Sequence, residues 1–271
     1  MEPLLTLETV ALLRHAAQTG DTDVSISLDL QRTTTQAEAQ ADHFIWNGRR
    51  YPYPERRKAR TVYYFVDGAF APVARYSGAL IKLVPTDWGP PTFEIDGIKM
   101  LPTAQLSPYE DAARKVALVA PRGKTILDTC GGLGYFAACC VTEAANRILS
   151  FEKNPDVIWL RSLNPWSPPQ GAALTLTQGD VIGHLDALPS ASIDAILHDP
   201  PRFGIAGELY SLRFYESLAR VIRRKGRMFH YTGRPNRLTS GRDVPNEVAT
   251  RLRRAGFEAV LQGDGVLATR R

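Results

Sequence analysis

Two short runs of this sequence carry residues whose types and spacing could do chemistry. The first is ILDTCGGLGYFAACC, Ile126 to Cys140, which reads as a strand entering a glycine turn and leaving it as a helix. Its Gly132-Leu-Gly134-Tyr-Phe-Ala137 fits the spacing G-x-G-x-x-[GA], in which glycines let the backbone turn tightly and approach a nucleotide. Alone, such a turn suits NAD, FAD and S-adenosylmethionine equally, or serves only as a connection. The second run is His198-Asp199-Pro200-Pro201-Arg202-Phe203, after the apolar stretch IDAIL. Proline has no N–H and a fixed φ. Asp199, Pro200 and Pro201 at a strand end therefore offer acceptors without donors. Such acceptors grip an amino group, orient its lone pair and take up its developing positive charge. Hydride transfer has no use for them; the competing reading is a prolyl loop that merely ends the strand.

The histidines and acids around these runs extend the pattern. His198 and His230 are candidates to accept a proton or polarise an acceptor, against a scaffold role for both. Glu152 ends the apolar run RILSFEK, where a carboxylate can grip both ribose hydroxyls of a nucleotide. Asp180 follows AALTLTQG, where an acid suits the exocyclic amine of adenine. Lys153 and Val181 flank these acids and join the expected cofactor set. Tyr231 and Tyr210 are candidate substrate contacts, with Tyr210 equally readable as core. Glu208 could meet a cationic substrate or simply sit at a helix start.

These residues need elements to position them. From Ser107 onward, strands and helices alternate, which implies a parallel sheet covered on both faces. SPYEDAARKVALVA opens with Ser107 as N-cap and Pro108 at the first helical position. YFAACCVTEAAN reads as a helix. LYSLRFYESLARVIRRKG reads as one long helix with Leu212, Tyr215, Leu218, Val221 and Ile222 on one face, ended by Gly226. Arg223, Arg224 and Lys225 would then be cations at a helix end. FEAVLQGDG and VLATRR form a terminal hairpin. Before Ser107 the texture is different. A helix over residues 3 to 18 precedes VSISLDL, an alternating strand. Hairpins turn at Asn47-Gly48 and Asp67-Gly68. ALIKLVP is a strand, and PTDWGPPTFEIDGIKMLP holds short extended pieces. The expected fold is α/β: a small β-rich domain over 1–106, selecting substrate, and a Rossmann-like domain over 107–271 with an antiparallel terminal hairpin.

Composition bounds the rest. The chain has 271 residues, 44% apolar and 23% charged, with net charge +5. That is ordinary globular composition. The basic balance permits a polyanionic partner. Arg49, Arg50, Arg56, Arg57, Lys58 and Arg60, with Trp46, Tyr51 and Tyr53 interleaved, suit either a single-stranded nucleic-acid platform or a charged hairpin edge. Cys130, Cys139 and Cys140 lack metal-ligand spacing and suit small packing residues, not a disulfide framework or a nucleophile. Neither a signal peptide nor a membrane-spanning run is legible, so a cytoplasmic protein without membrane or metal is expected.

The segment from about Ser107 to Arg271 resembles the class I S-adenosylmethionine-dependent methyltransferases. More narrowly, LDTCGGLGY, EKNP, LNPWS, HDPPRF, AGELYS and FHYTG resemble a mostly archaeal group of predicted methyltransferases, and SLDL and PTFEIDGIKM extend the likeness. The resemblance implies S-adenosyl-L-methionine as cofactor. Asp128, Cys130, Gly132 and Gly134 would hold its methionine part, Glu152 its ribose and Asp180 its adenine. Asp199, Pro200 and Pro201 would hold the target amine. Cys130 replaces the usual first glycine of the loop. Arg202 replaces the aromatic that normally follows the prolines, which with Phe203 one position on makes a stacked base less natural as acceptor. The acceptor, whether RNA, protein or small amine, is not specified. Alternatives are an aminopropyl- or aminocarboxypropyl-transferase on the same fold, an NAD-dependent oxidoreductase, and a nucleic-acid-binding module with a vestigial cofactor site.

Overall fold

The computed structural model describes residues 2–56, 58–233 and 243–271. Arg57 of the basic run lies outside the described residues. The chain divides into two compact units, Met1–Asp111 with Trp159–Trp166, and Ala112–Ile158 with Ser167–Arg271.

The first unit contains β1 (Leu4–Leu5), α1 (Leu7–Thr19), β2 (Asp23–Ile26), β3 (Thr35–Ala39), β4 (His43–Trp46), β5 (Arg49–Pro52), β6 (Tyr63–Val66), β7 (Ala69–Pro72), β8 (Ala74–Tyr76), β9 (Leu80–Val84), β10 (Thr92–Ile95) and β11 (Ile98–Lys99). They form three antiparallel sheets, ordered β1-β6-β7, β2-β3-β4-β5 and β11-β10-β9-β8. Asn47-Gly48 and Asp67-Gly68 turn the two expected hairpins, with φ of 51° and 73°, and 50° and 81°. Both residues of each turn are left-handed, which matches the twist of the flanking strands. Asp96-Gly97 makes a third such turn between β10 and β11, at φ 48° and 77°. VSISLDL is strand only as far as Ile26. Beyond it, Ser27 Oγ accepts from Gln31 N–H at 2.8 Å, and Asp29 accepts from Thr33 N–H at 2.9 Å. These side chains offer the backbone an alternative to the ladder.

Leu5, Val10, Leu13, Phe44, Tyr51, Tyr53 and Tyr63 make the core of this unit. The basic-aromatic cluster is therefore divided between core and surface. Tyr51 and Tyr53 are buried, while Arg49 pairs with Glu2 at 2.7 Å and Arg50 with Asp42 at 2.9 Å. Arg60 pairs with the buried Glu94.

The remaining elements start with α2 (Pro108–Ala117), which runs across the division between the units. It opens with a reciprocal cap: Ser107 Oγ accepts from Glu110 N–H at 3.0 Å and Glu110 accepts from Ser107 N–H at 3.2 Å. Then come β12 (Thr125–Asp128), α3 (Tyr135–Thr142), β13 (Arg147–Glu152), α4 (Pro155–Leu163), β14 (Leu174–Gln178), α5 (Val181–Leu185), β15 (Ile193–His198), α6 (Leu212–Val221), β16 (Ile222–Tyr231), α7 (Val244–Arg254), β17 (Phe257–Gln262) and β18 (Gly265–Arg270). The sheet order is β14-β13-β12-β15-β16-β18-β17. The first five in that order are parallel, and β18 runs antiparallel to both neighbours. This is the expected Rossmann-like sheet, parallel with an antiparallel terminal hairpin. Chain order reverses between β12 and β15, so the crevice at their carboxyl ends is the natural ligand site. The glycine loop and the Asp-Pro-Pro run follow those two strands.

Several expected helices differ: the N-terminal one starts only at Leu7, because Leu4 and Leu5 pair with β6 as a strand, and α2 ends at Ala117 instead of continuing to Ala120. The helix after the glycine loop stops at Thr142, four residues early, at a turn with Ala144 at φ 56°. The long helix over 209–226 is three pieces: a 3-10 turn over Gly207–Tyr210, α6 from the N-cap Ser211, and then strand. Ile222 already pairs with Ile193, and the register next resumes at Ala195 with Arg227. Arg223, Arg224 and Lys225 thus sit in an irregular strand entry and not at a helix end. Arg223 pairs with Asp194 there. Gly226 is required by space, since a Cβ on it would lie 2.8 Å from the Arg223 carbonyl and 2.9 Å from that of Asp194. Gly226→Ala is expected to cost about 1–3 kcal/mol through this overpacking, read as a lower urea midpoint with an unchanged m-value.

Candidate functional site

The glycine loop is built by β12 running into α3. Gly131 N–H donates to the Phe151 carbonyl at 2.7 Å and Gly134 N–H to that of Gly131 at 2.8 Å. Gly132 and Gly134 are left-handed, at φ 49° and 84°. A Cβ on Gly132 would meet nothing within 4 Å, so the loop backbone faces open space there. Cys130 is not among the left-handed residues, so the substitution for glycine costs no backbone strain.

The acids surround this loop. Asp128 is buried and accepts from Ser150 Oγ at 2.8 Å. Glu152 takes the Gly132 N–H on one oxygen at 2.9 Å and the Asn154 N–H on the other at 2.8 Å, stitching the loop to the end of β13. The Cys130 thiol is pushed well up, first by burial and then by the charges of Glu152, Asp128 and Asp199, against a bond with Thr129. Carboxylates from three neighbouring strand ends therefore act on one sulfur, which stays a neutral thiol. Cys139 and Cys140 are buried in α3. Asp180 caps α5 through the Ile182 N–H at 3.0 Å and pairs with Lys153 at 2.9 Å. Burial opposes its charge, but the Lys153 and Ile182 bonds hold the carboxyl below its ordinary value. Val181, the first residue of α5, is buried.

The Asp-Pro-Pro run leaves β15 beside β16. The Pro201 carbonyl accepts from Tyr210 Oη at 3.0 Å, and the Phe203 ring meets Tyr210 edge-on at 5.4 Å. Arg202 and Phe203 are half-buried, and the Arg202 carbonyl accepts from Ile205 and Ala206 N–H. Tyr210 is 1% exposed. It braces the prolyl loop and offers no surface to a substrate, which corrects the expectation of a substrate contact.

His198 and His230 are 0% exposed. Carbonyl oxygens only accept, so His198 Nε2 donates to Leu209 at 3.1 Å and its neutral Nδ1 accepts from Thr129 Oγ1 at 2.6 Å. By the same reasoning His230 Nδ1 donates to the Tyr231 carbonyl at 2.9 Å, and Nε2 accepts from Tyr215 Oη at 2.8 Å. The two rings touch edge to face at 4.4 Å. Burial drives His198 down to about 3, against its bond to Leu209. Burial and then the neighbouring His198 drive His230 well below its ordinary value. Neither ring presents a nitrogen to a substrate, so the expected catalytic role gives way to a scaffold one. Sequence reasoning passed over Thr129 and Tyr215, their partners, and Lys115 on α2. Thr129 at least adjoins the glycine loop; Lys115 looks like any helix-surface lysine. Among the described residues no group of His, Cys, Asp and Glu could hold a metal ion, and no helix is long and apolar enough to cross a membrane.

Several solved structures share the fold of this chain. A spermidine synthase in complex with the transition-state analogue AdoDATO superposes with TM-score 0.58 at 15% identity, over 73% of each chain. Spermidine synthase from Thermotoga maritima gives 0.53 at 14%, over 73% of this chain and 71% of that one. MNMC2 from Aquifex aeolicus gives 0.51 at 19%, over 72% and 71%. No family model matches the chain. An uncharacterized protein of Methanocaldococcus jannaschii is 38% identical over 214 residues, 77% of this chain and 73% of that protein. The chain belongs to the family of that archaeal protein.

The buried histidines set a pH dependence. Their folded values lie below the unfolded one, so below about pH 6.5 the unfolded chain binds more protons and stability falls as pH falls. The loss starts near the ordinary value and, for His198, continues to about pH 3, at roughly 1 kcal/mol per ring per pH unit. The urea midpoint is expected to drop between about pH 7.5 and 5.5, and to drop less in His198→Phe. Equal drops in the two proteins would contradict the burial of a neutral ring.

Proposed function

We propose that this protein transfers the methyl group of S-adenosylmethionine to an amino group. The carrying observation is that Asp128, Glu152 and Asp199 stand at the carboxyl ends of three adjacent parallel strands, with Glu152 bonded to the Gly132 N–H of the glycine loop. Negative charge at three neighbouring strand ends favours a sulfonium cofactor and a developing ammonium. It disfavours the pyrophosphate of NAD or FAD, which the oxidoreductase alternative needs.

The residues present fit the cofactor. Gly132 and Gly134, with Asp128 and Cys130 at the loop entry, would receive its methionine part, Glu152 its ribose, and Asp180 with Lys153 and Val181 its adenine. When bound, it supplies an electrophilic methyl group. Asp199 and the carbonyls of the Asp-Pro-Pro run would accept hydrogen bonds from the acceptor amine and aim its lone pair. Arg202, Phe203 and Tyr231 would line the acceptor. Rate enhancement comes from positioning and from acceptors aimed at the developing charge. His198, His230 and Tyr210 support that wall from behind.

A second reading, transfer of an aminopropyl or aminocarboxypropyl arm, has the spermidine synthase likeness in its favour. That likeness is one of fold. The loop GGLGYF carries no acids of its own to hold a polyamine. The products separate the readings: methyl transfer leaves S-adenosylhomocysteine, and arm transfer leaves methylthioadenosine. Labelled methyl offered with fractionated cell extract identifies the acceptor as RNA, protein or small amine. RNA binding without any cofactor response would favour the binding-module reading.

Asp199→Ala is expected to lower methyl transfer by at least about 10²-fold while the calorimetric Kd for S-adenosylmethionine moves less than about threefold. Glu152→Ala should instead weaken cofactor binding by about tenfold or more, through lost charge-assisted bonds. Undiminished transfer in Asp199→Ala would sink the amine-grip reading.

A further inference from the structure

The register of β15 and β16 fixes what shares a sheet end with Asp199. His198 pairs with His230 across the two parallel strands. Asp199 and Tyr231 follow this last pair on their two chains, so both stand at the same carboxyl end of the β15–β16 pair.

Tyr231 is clamped in place. The Lys115 ammonium lies 3.8 Å from its ring centroid. Gly233, at φ +60°, packs so tightly that a Cβ on it would come within 2.9 Å of two ring carbons and the hydroxyl oxygen of Tyr231. Lys115 is only 4% exposed, and Asp264 lies 3.8 Å from its nitrogen. The Asp264 carbonyl accepts from Thr232 N–H at 3.1 Å and Gly233 N–H at 2.9 Å, which ties this wall to the β17–β18 turn. Lysine is rarely buried to this extent, because removing its charge from water is costly. A leucine at the same helical position would pack against the ring without that cost. The position therefore carries a charge whose use is electrostatic.

Two further observations bear on what the charge does. The Tyr231 face that would attract a cation is already taken by Lys115. The two histidines nearest Asp199 in the strands have both nitrogens committed to hydrogen bonds, so neither can take a proton from an ammonium. An amine that arrives uncharged already has its lone pair and needs no such base. Asp199 attracts a cation, but Lys115, buried on the Tyr231 ring and only partly offset by Asp264 at 3.8 Å, and the half-buried Arg202 bring positive charge to the same end of the sheet.

We propose that Lys115 is a positioning and specificity residue of the acceptor site: it fixes Tyr231 at the end of the sheet where Asp199 stands and makes the site take an uncharged amine in preference to an alkylammonium. The inference rests on the amine-transfer reading above and adds the charge of the acceptor to it.

The test uses the full chain loaded with S-adenosylhomocysteine and two probes of similar size, aniline, uncharged at neutral pH, and benzylamine, protonated there. Ligand-observed NMR titration should show the wild type binding aniline about tenfold more tightly than benzylamine. Lys115→Met should bring the two within about threefold by gaining benzylamine, and Lys115→Arg should keep the wild-type preference. Equal binding by the wild type, no measurable aniline binding, or an unchanged ratio in Lys115→Met overturns the proposal. The wild-type ratio decides even if Lys115→Met does not fold. Failure of S-adenosylhomocysteine to bind the wild type, read separately by calorimetry, would overturn the methyl-transfer reading and this inference together.

Discussion

Thr129 and His198 stand where β12 and β15 end, and the 2.6 Å bond between them ties the strand leading into the glycine loop to the strand leading into Asp-Pro-Pro. The other imidazole nitrogen reaches the Leu209 carbonyl, which holds the 3-10 turn before α6. The ring edge meets His230, whose own bonds run to Tyr215 and the Tyr231 carbonyl. Each bond adds only about 1 kcal/mol net, but a buried partner left alone costs about 1–3 kcal/mol. The chain of bonds therefore stands as a unit, and it sets the positions of Asp199 and Tyr231 without touching either side chain's chemistry.

Around that buried lattice the charges are arranged by depth. Asp128 is buried with Ser150, and Glu152 accepts one backbone N–H on each oxygen, which fixes the carboxylate's orientation. The outer pair, Lys153 with Asp180, is largely open to water and contributes little to stability. Its use is to hold the end of β14 and the start of α5 in a fixed relation. The first unit treats charge differently. Its exposed arginines Arg49 and Arg50 pair with Glu2 and Asp42, and of the interleaved aromatics Tyr51 and Tyr53 are core while Trp46 is half-buried.

Local signals carried much of the fold. Asn47-Gly48 and Asp67-Gly68 identify their hairpins because few other residues tolerate φ > 0 at both turn positions. Asp96-Gly97 carries the same signal but is crowded by prolines, and its two-residue strand is too short to show alternation. The long helix misread over 209–226 has a physical cause. Its apolar spacing continues through Ile222, yet Ile222 is bound by Ile193 in the sheet, a contact no helical periodicity reveals. VSISLDL alternates as a strand should, but Ser27 and Asp29 bond the backbone themselves and end it.

The sequence by itself determined the alternation of strands and helices, the acid at each strand end, the left-handed glycines and the donor-free prolyl run. These follow from neighbours along the chain, where steric and hydrogen-bonding preferences act. Only the tertiary structure decided that His198, His230 and Tyr210 are buried supports, that Trp159–Trp166 packs with the first unit, and that Lys115 lies on Tyr231. Burial and charge partnership depend on residues about ten to over a hundred positions apart, and the balance between desolvation and pairing that sets a side chain's role exists only once those residues meet.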